Sequence, residues 1–351
     1  MKAVVSYQGN ISMSNDMPQP QLEDGFLLVQ TAYSAISPGT EMMMNGHYYS
    51  KPFILGYSAA GIVKETKGDS VTLKKGQRVA CYGAPYVKHA ELLAVPRHLA
   101  VPIPDHVSLE EASTVGLGAI AIHSLRQANL QFGELLLLIG AGILGQITAQ
   151  IAQAAGYQVI LYDLLEERCR IAKELGIRHV CSSAKQVDET IKLLSDGEGV
   201  DASLICASDK TGSLMDHSLE RLRDRGKVIV VGDMKMEFKR ELMFTKEAQI
   251  LISRAGGPGR YDPMYEKQGI PYPVGYIRWT EGRNMAEYIR LLAEGAIQVA
   301  PLLTNVHPVD ECAQVYEQYR ENPHSILGAV LQYPLATELK TGQEVETTLG
   351  R

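Results

Sequence analysis

Cysteine is sparse in this chain: Cys81, Cys169, Cys181, Cys206 and Cys312 are scattered and never form a C-x2-C pair. An odd, dispersed set argues against a disulfide framework and a metal knuckle, and reads as thiols in a reducing compartment. Concentrated positive charge is also lacking. The net charge is -6, and the basic clusters at Lys74-Lys75 and from Arg221 to Lys227 stand alone, so nucleic acid is not an expected partner. The longest apolar run, LLLLIGAGILG, is too short to span a bilayer. The opening MKAVVSYQGN has neither the basic end nor the apolar core of a signal peptide. No membrane association is expected, and the cytoplasm is the default location.

What is present points to a two-domain globular enzyme. The length of 351 residues exceeds one ordinary core, and 45% hydrophobic with 21% charged residues is globular composition. MKAVVSY, FLLVQTAYSAI, GIVKETKG and QRVACYG are short strand patterns closed by turn residues, which predicts a mostly β first lobe. Ser108 to Gln127 reads as one helix, capped by Ser108 with Glu111 as the reciprocal partner. From Glu134 strand and helix alternate regularly, the pattern of parallel β-α-β units. The expected division is 1–125 with 286–335 as a substrate domain, 126–285 as a cofactor domain, and 336–351 as a polar tail.

Leu138 to Gly145, LIGAGILG, ends an apolar run and opens a helix. Gly140 makes the tight turn, Gly142 allows the backbone to approach a pyrophosphate, and Gly145 lets helix and strand pack closely, with Ile143 and Leu144 between them. The next strand, QVILYD, ends in Asp163, about twenty residues on, where a carboxylate accepts the hydroxyls of an adenosine ribose. Asp163 would repel a 2'-phosphate and no arginine follows it directly, so NAD is favoured over NADP. Arg168 either flanks that ribose or is a solvated helix residue. Ala207 and Ser208, at the end of the strand pattern SLICAS, would face the cofactor from a neighbouring strand end.

Together with GYSAAGIVKETKGDSVTLKKGQRVACYG, this order of motifs resembles the medium-chain dehydrogenase/reductase superfamily over about residues 1 to 334. The resemblance implies an α/β fold with a GroES-like, mostly β substrate lobe and a Rossmann cofactor domain, and a homodimer or homotetramer. Zinc members place a cysteine in the loop that here reads AISPGTEMM, a His-Glu pair where this chain has Tyr57-Ser58, and a third ligand near Val115-Gly116. Ser37, Tyr57 and the apolar VGLG are poor ligands. The four-cysteine structural-zinc lobe is missing after Cys81, so no zinc is expected. SPGTE and the segment from Ser253 to Met285 resemble a zinc-free subgroup among threonine, polyol, sugar and bacteriochlorophyllide dehydrogenase homologues.

Without zinc, side chains must steady the oxygen charge and move the proton during hydride transfer. Tyr57, Glu41 and His47 are the catalytic candidates. Against these stand a tyrosine that merely fills the space of the metal, a glutamate in a structural salt bridge and a solvated loop histidine. Thr40 and Lys51 lie near them in sequence as substrate contacts. Arg254, Arg260, Tyr261, Tyr276, Arg278 and Trp279 belong to a Pro/Gly-rich loop suited to a polyhydroxylated or carboxylated ligand, or else to a surface contact. The expected function is an NAD-dependent, zinc-independent oxidoreductase interconverting a secondary alcohol and a ketone on a sugar, cyclitol or related small polar metabolite. A zinc-free enoyl or quinone reductase and a non-catalytic NAD-binding sensor are the alternatives.

Overall fold

The structure, a computed structural model, describes residues 1–46, 51–68 and 71–335. His47 and the tail 336–351 lie outside the described residues. The long strand Phe26–Ala35 organises the first lobe. One edge of it pairs with Ser58–Thr66, and the other is shared by Leu92–Pro96 near its start and Ala329–Gln332 near its end. Register shifts at Leu28/Val29 and Thr31/Tyr33 interrupt the pairing with Ser58–Thr66. Such bulges bend a strand and strengthen its twist, which lets one strand serve several neighbours. Arg78–Tyr82 and Ala100–Pro102 extend the sheet on one side and Asn305–Pro308 on the other. Residues near the end of the described chain thus complete a sheet begun near its start.

The second lobe holds a six-stranded parallel sheet in the order His179–Cys181, Gln158–Tyr162, Leu135–Ile139, Val200–Ile205, Leu222–Val230, Gln249–Ile252. Leu135–Ile139 is buried at every position, as expected of a central parallel strand covered on both faces. The chain runs outward from this strand through two crossovers and then returns to its other side. The C-terminal ends of Leu135–Ile139 and Val200–Ile205 therefore flank the switch point where ligands of such sheets bind.

The single helix expected over Ser108 to Gln127 is two, Leu109–Ala112 and Val115–Ala128. Its start follows the reciprocal cap: Ser108 accepts the Glu111 N–H at 3.1 Å and donates to the Glu111 carboxylate at 2.7 Å. The break has a local cause. Ser113 and Thr114 turn their hydroxyls back onto the carbonyls of Glu110 and Glu111, competing with the helix ladder. Val115–Ala128 then runs almost wholly buried and packs against Glu281–Ala293. Gly118 is required at their crossing, because a Cβ there would lie 2.1 Å from the Tyr288 ring. The Tyr288 hydroxyl bonds Thr114 at 2.6 Å. Both expected domain boundaries, 125/126 and 285/286, fall inside these two helices.

Candidate active site

Gly140 leaves Leu135–Ile139 at φ +102, and a Cβ on it would lie 2.9 Å from the Ala207 backbone nitrogen. A Cβ on Gly145 would sit 1.8 Å from the Gly140 carbonyl oxygen, so only glycine lets the helix start this close to the turn. Gly142 caps Ile143–Ala154 with no side-chain hydrogen bond, and the space where its Cβ would be is open apart from Arg168 at 3.9 Å. The first amides of that helix are thereby free for an anionic group. Ile143 and Leu144 turn their side chains into the core, so only their backbone faces the cradle.

Asp163 is built into this cradle. Its two oxygens accept the N–H groups of Ala141 at 2.7 Å and Leu165 at 2.9 Å, joining the glycine turn to the next strand end. A carboxylate has further lone pairs for two ribose hydroxyls. Arg168 stands 3.6 Å from Asp163, and its buried Nε has no partner. It is held beside the glycine turn, as Gln146 spans from the Ala141 carbonyl to its own. A cavity of about 370 Å³ lined by Leu165, Arg168, Thr304, His324 and Leu327 adjoins the pair. Ala207, half-buried, and Ser208, exposed, follow the strand across the crevice. These residues fit a dinucleotide.

On the first lobe, Tyr57 is half-buried at the start of Ser58–Thr66, its ring edge-on to Tyr82 at 5.8 Å and 75°. Burial pushes its hydroxyl up to about 12; the nearby hydroxyls of Ser37 and Thr40 pull the other way, and the Glu41 charge adds to the rise. Ser37, Thr40 and Tyr57 therefore form a cluster of three hydroxyls. Ser58 is spent differently: it donates to the Ser113 carbonyl and accepts the Gly116 N–H at 2.8 Å, clamping the buried helix.

Glu41 does not join the hydroxyl cluster as a free acid. It is fully buried, accepting from the Ser37 N–H at 2.8 Å, from His89 at 2.9 Å and from the Tyr316 hydroxyl. His89 in turn contacts Ser34 at 2.7 Å, and Ser34 contacts Tyr333. This network stands behind the hydroxyls and holds the Ser37 backbone in place. Of the two expectations for Glu41, contact with substrate or a structural salt bridge, this geometry favours the second, since both of its oxygens are engaged by Ser37, His89 and Tyr316.

Zinc does not fit these residues. Ser37, Tyr57 and Ser58 offer hydroxyls where imidazole, thiolate or carboxylate would be needed. Glu41 and His89 are occupied by one another and by neighbours. Among the described residues no group of three His, Cys, Asp or Glu is arranged to hold a metal ion.

The aromatic and arginine-rich loop divides in two. Tyr261 is 56% exposed, adopts φ +66, and lies over the guanidinium groups of Arg260 at 4.1 Å and Arg254 at 5.0 Å. Tyr261 lies near enough to Tyr57 to bear on its titration, and Arg254 stands beside Tyr261. Arg260, expected to touch substrate, is instead buried in an ion pair with Glu266 and donates to the Ala84 carbonyl. Trp279 has the guanidinium groups of Arg126 at 3.5 Å and Arg278 at 4.3 Å over its ring. Arg126 lies ten positions beyond Gly116, roughly 15 Å along the helix from the Tyr57 end. Arg278 and Trp279 thus form an ordered surface stack apart from the cluster, and Tyr276 projects into solvent, 90% exposed. Lys51 is exposed.

Three side chains that sequence patterns did not single out shape the site. Tyr82 forms the inner wall. Gly256 and Gly116 leave room for it, since a Cβ on either would come within 2.7 Å of its ring. Ser37 was legible only as a poor metal ligand. Glu281, at the start of Glu281–Ala293, is completely buried with neither oxygen hydrogen-bonded. Burial and the neighbouring Glu266 push its carboxyl up to about 9 against the pull of Arg260, so it is neutral at pH 7.

Comparison with known proteins agrees with this architecture. Residues 23–105 match the alcohol dehydrogenase GroES-like domain and residues 144–267 the zinc-binding dehydrogenase family. D-arabitol-phosphate dehydrogenase of Enterococcus avium is 24% identical over 87% of this chain and 90% of its own. Sorbitol dehydrogenase of Bacillus subtilis is 25% identical over 95% and 97%. The crystal structure of galactitol-1-phosphate dehydrogenase from Escherichia coli superposes with a TM-score of 0.77 at 20% identity, covering 95% of this chain and all of that one. Among the described residues no helix is long and apolar enough to cross a membrane. Two matched domains, the nucleotide cradle and the parallel sheet with its switch point lead to one conclusion: the chain belongs to the medium-chain dehydrogenase/reductase superfamily of nicotinamide-dependent oxidoreductases, among relatives of the sugar and polyol dehydrogenases.

Proposed function

We propose that this protein interconverts a secondary alcohol and a ketone on a polyol, sugar or sugar acid, using NAD and no zinc. The observation that carries the proposal is the Ser37–Thr40–Tyr57 hydroxyl cluster, found where zinc relatives place metal ligands. The nicotinamide, when bound, supplies or accepts the hydride. Tyr57 keeps its proton at neutral pH and donates to the substrate oxygen; Ser37 and Thr40 steady the charge as it moves. Arg254 and Tyr261 receive the hydroxylated remainder of the substrate at the mouth. Names among the relatives support this class: arabitol phosphate, sorbitol and L-galactonate are all polyhydroxylated.

Asp163 and the open cradle at Gly142 support roles for Gly140, Gly142, Gly145 and Asp163 in holding NAD, with Arg168, Ala207 and Ser208 beside it. The proposed domains are 1–125 with 286–335 for substrate and 126–285 for the cofactor, the helices Val115–Ala128 and Glu281–Ala293 crossing from one to the other. Self-association along the edge strand Gln249–Ile252 is proposed as well, since Ile252 is exposed at the end of the sheet. A cytoplasmic setting suits five free cysteines. The test is a screen at 340 nm of NAD and NADH against polyols, sugar acids and their keto forms, with metal content measured on the same sample. Turnover in metal-free protein is expected; activity only after zinc is added rejects the zinc-free reading.

A further inference from the structure

Away from the cleft, the turn Arg97–Leu99 of the first lobe faces the segment that follows Tyr261. Between them lies a cavity of about 190 Å³, lined by Arg97, His98, Tyr265, Tyr272, Thr280 and Arg283. One wall is a stack of three rings. His98 lies on Tyr265 at 4.6 Å and 18°, and Tyr265 on Tyr272 at 5.3 Å and 6°. The stack is braced by hydrogen bonds from Tyr265 to Thr280 at 3.0 Å and from Tyr272 to Asp262.

The charge in this cavity is unbalanced. Arg97 donates to the Gly269 carbonyl, and Arg283 donates to those of Ile277 and Arg278. Among the described residues no carboxylate pairs with either. A guanidinium carries five N–H donors in a planar fork, so both arginines keep unused donors. His98 donates its Nε2–H to the same Gly269 carbonyl at 2.9 Å, and burial and the Arg97 charge hold its imidazole below its usual range, so it senses the charge in the cavity without donating to an anion. Two unpaired cations on one small cavity repel each other, and an anion between them relieves this.

We propose that this cavity is a binding site for a small oxyanion of the phosphate class, held by Arg97 and Arg283. Its volume is below the ~300–1,000 Å³ typical of sites for drug-sized organic ligands. That suits an inorganic phosphate or a terminal phosphate group but not a nucleotide. A bound oxyanion accepts from both forks and fastens the segment from Tyr265 to Arg283 onto the first lobe. The same segment continues from Arg260 and Tyr261, so occupancy stiffens the outer wall of the active site.

The test uses the full chain with saturating NAD, which fills the cofactor's own phosphate site. The His98 imidazole signal is followed by NMR during titration with inorganic phosphate, with ionic strength held constant by chloride. A saturable shift of His98 toward its protonated position is expected, with affinity lowered tenfold or more in Arg283→Gln and also lowered in Arg97→Lys, which keeps the charge but loses the fork. No saturable shift, an equal response to chloride, or unchanged affinity in both variants overturns the proposal. Should Arg283→Gln fail to fold, Arg97→Lys alone decides. Glycerol 3-phosphate serves as the second ligand: a matching response extends the site to phosphomonoesters, and a response to phosphate alone assigns the free anion.

Discussion

The Tyr316 hydroxyl donates to the Glu41 carboxylate, so the helix Cys312–Glu321 holds in place the short helix Pro38–Gly46 that begins the active-site loop. These residues are 275 positions apart, and their contact ties the Ser37 backbone to the far end of the described chain. Tyr316→Phe removes one donor and leaves a buried carboxylate lone pair unsatisfied, at a cost of about 1–3 kcal/mol. Denaturant unfolding is expected to show that loss, with a larger one for Glu41→Ala. A Tyr316→Phe protein as stable as the parent would mean that Glu41 is satisfied without it.

Tyr57→Phe removes the proposed proton donor and leaves the ring and its edge-on contact with Tyr82 intact. Turnover is expected to fall about 10²–10⁴-fold, the usual contribution of a positioned acid, with NAD affinity unchanged. Burial holds the hydroxyl protonated to about 12, so ketone reduction should show no decline from Tyr57 between pH 7 and 10. Equal saturated rates for variant and parent would leave Tyr57 as packing.

Asp163→Ala acts on the cofactor. The variant loses the proposed ribose acceptor and also frees the amides of Ala141 and Leu165. NAD binding is expected to weaken tenfold or more, about 1.4 kcal/mol, and NADP binding to weaken less, because the charge opposing a 2'-phosphate is gone. Dissociation constants for both cofactors in both proteins give the ratio, and an unchanged ratio removes the assignment of NAD preference to Asp163.

Much of the cofactor lobe was legible because its signals are local. An apolar run, three glycines and an acid at the end of the next strand encode a turn, a helix start and a carboxylate that ties the two strand ends together within one βαβ unit. The substrate side was not legible in the same way. Whether Glu41 faces the cleft depends on Tyr316 and His89, and whether Arg260 is free depends on Glu266. Arg278 and Trp279 looked like substrate contacts from composition alone, yet Arg126 on the long helix captures the indole. Residue type announces what a side chain can do; its partners decide the direction in which it does it. The helix break at Ser113-Thr114 is intermediate, a local competition by two hydroxyls that apolar periodicity overrides on reading.

Glu281 makes stability depend on pH in a direction opposite to that of an ordinary salt-bridged acid. Its carboxyl titrates near 9 in the folded protein, against an ordinary value of 4.5. Below about 4.5 both folded and unfolded chains hold the proton and its contribution is fully present. Between 4.5 and 9 the unfolded chain releases the proton while the folded one retains it, so rising pH favours unfolding, and the loss levels off above 9. Glu281→Gln keeps the shape and removes the titration. The variant is therefore expected to gain stability relative to the parent as pH rises from 5 to 9, with little difference at pH 4. Urea unfolding at pH 4, 6, 8 and 9.5 measures this directly. A constant difference across the series would mean that Glu281 ionises normally, paired in solution by a water or a shifted Arg260, and that the wall behind Tyr82 is charged.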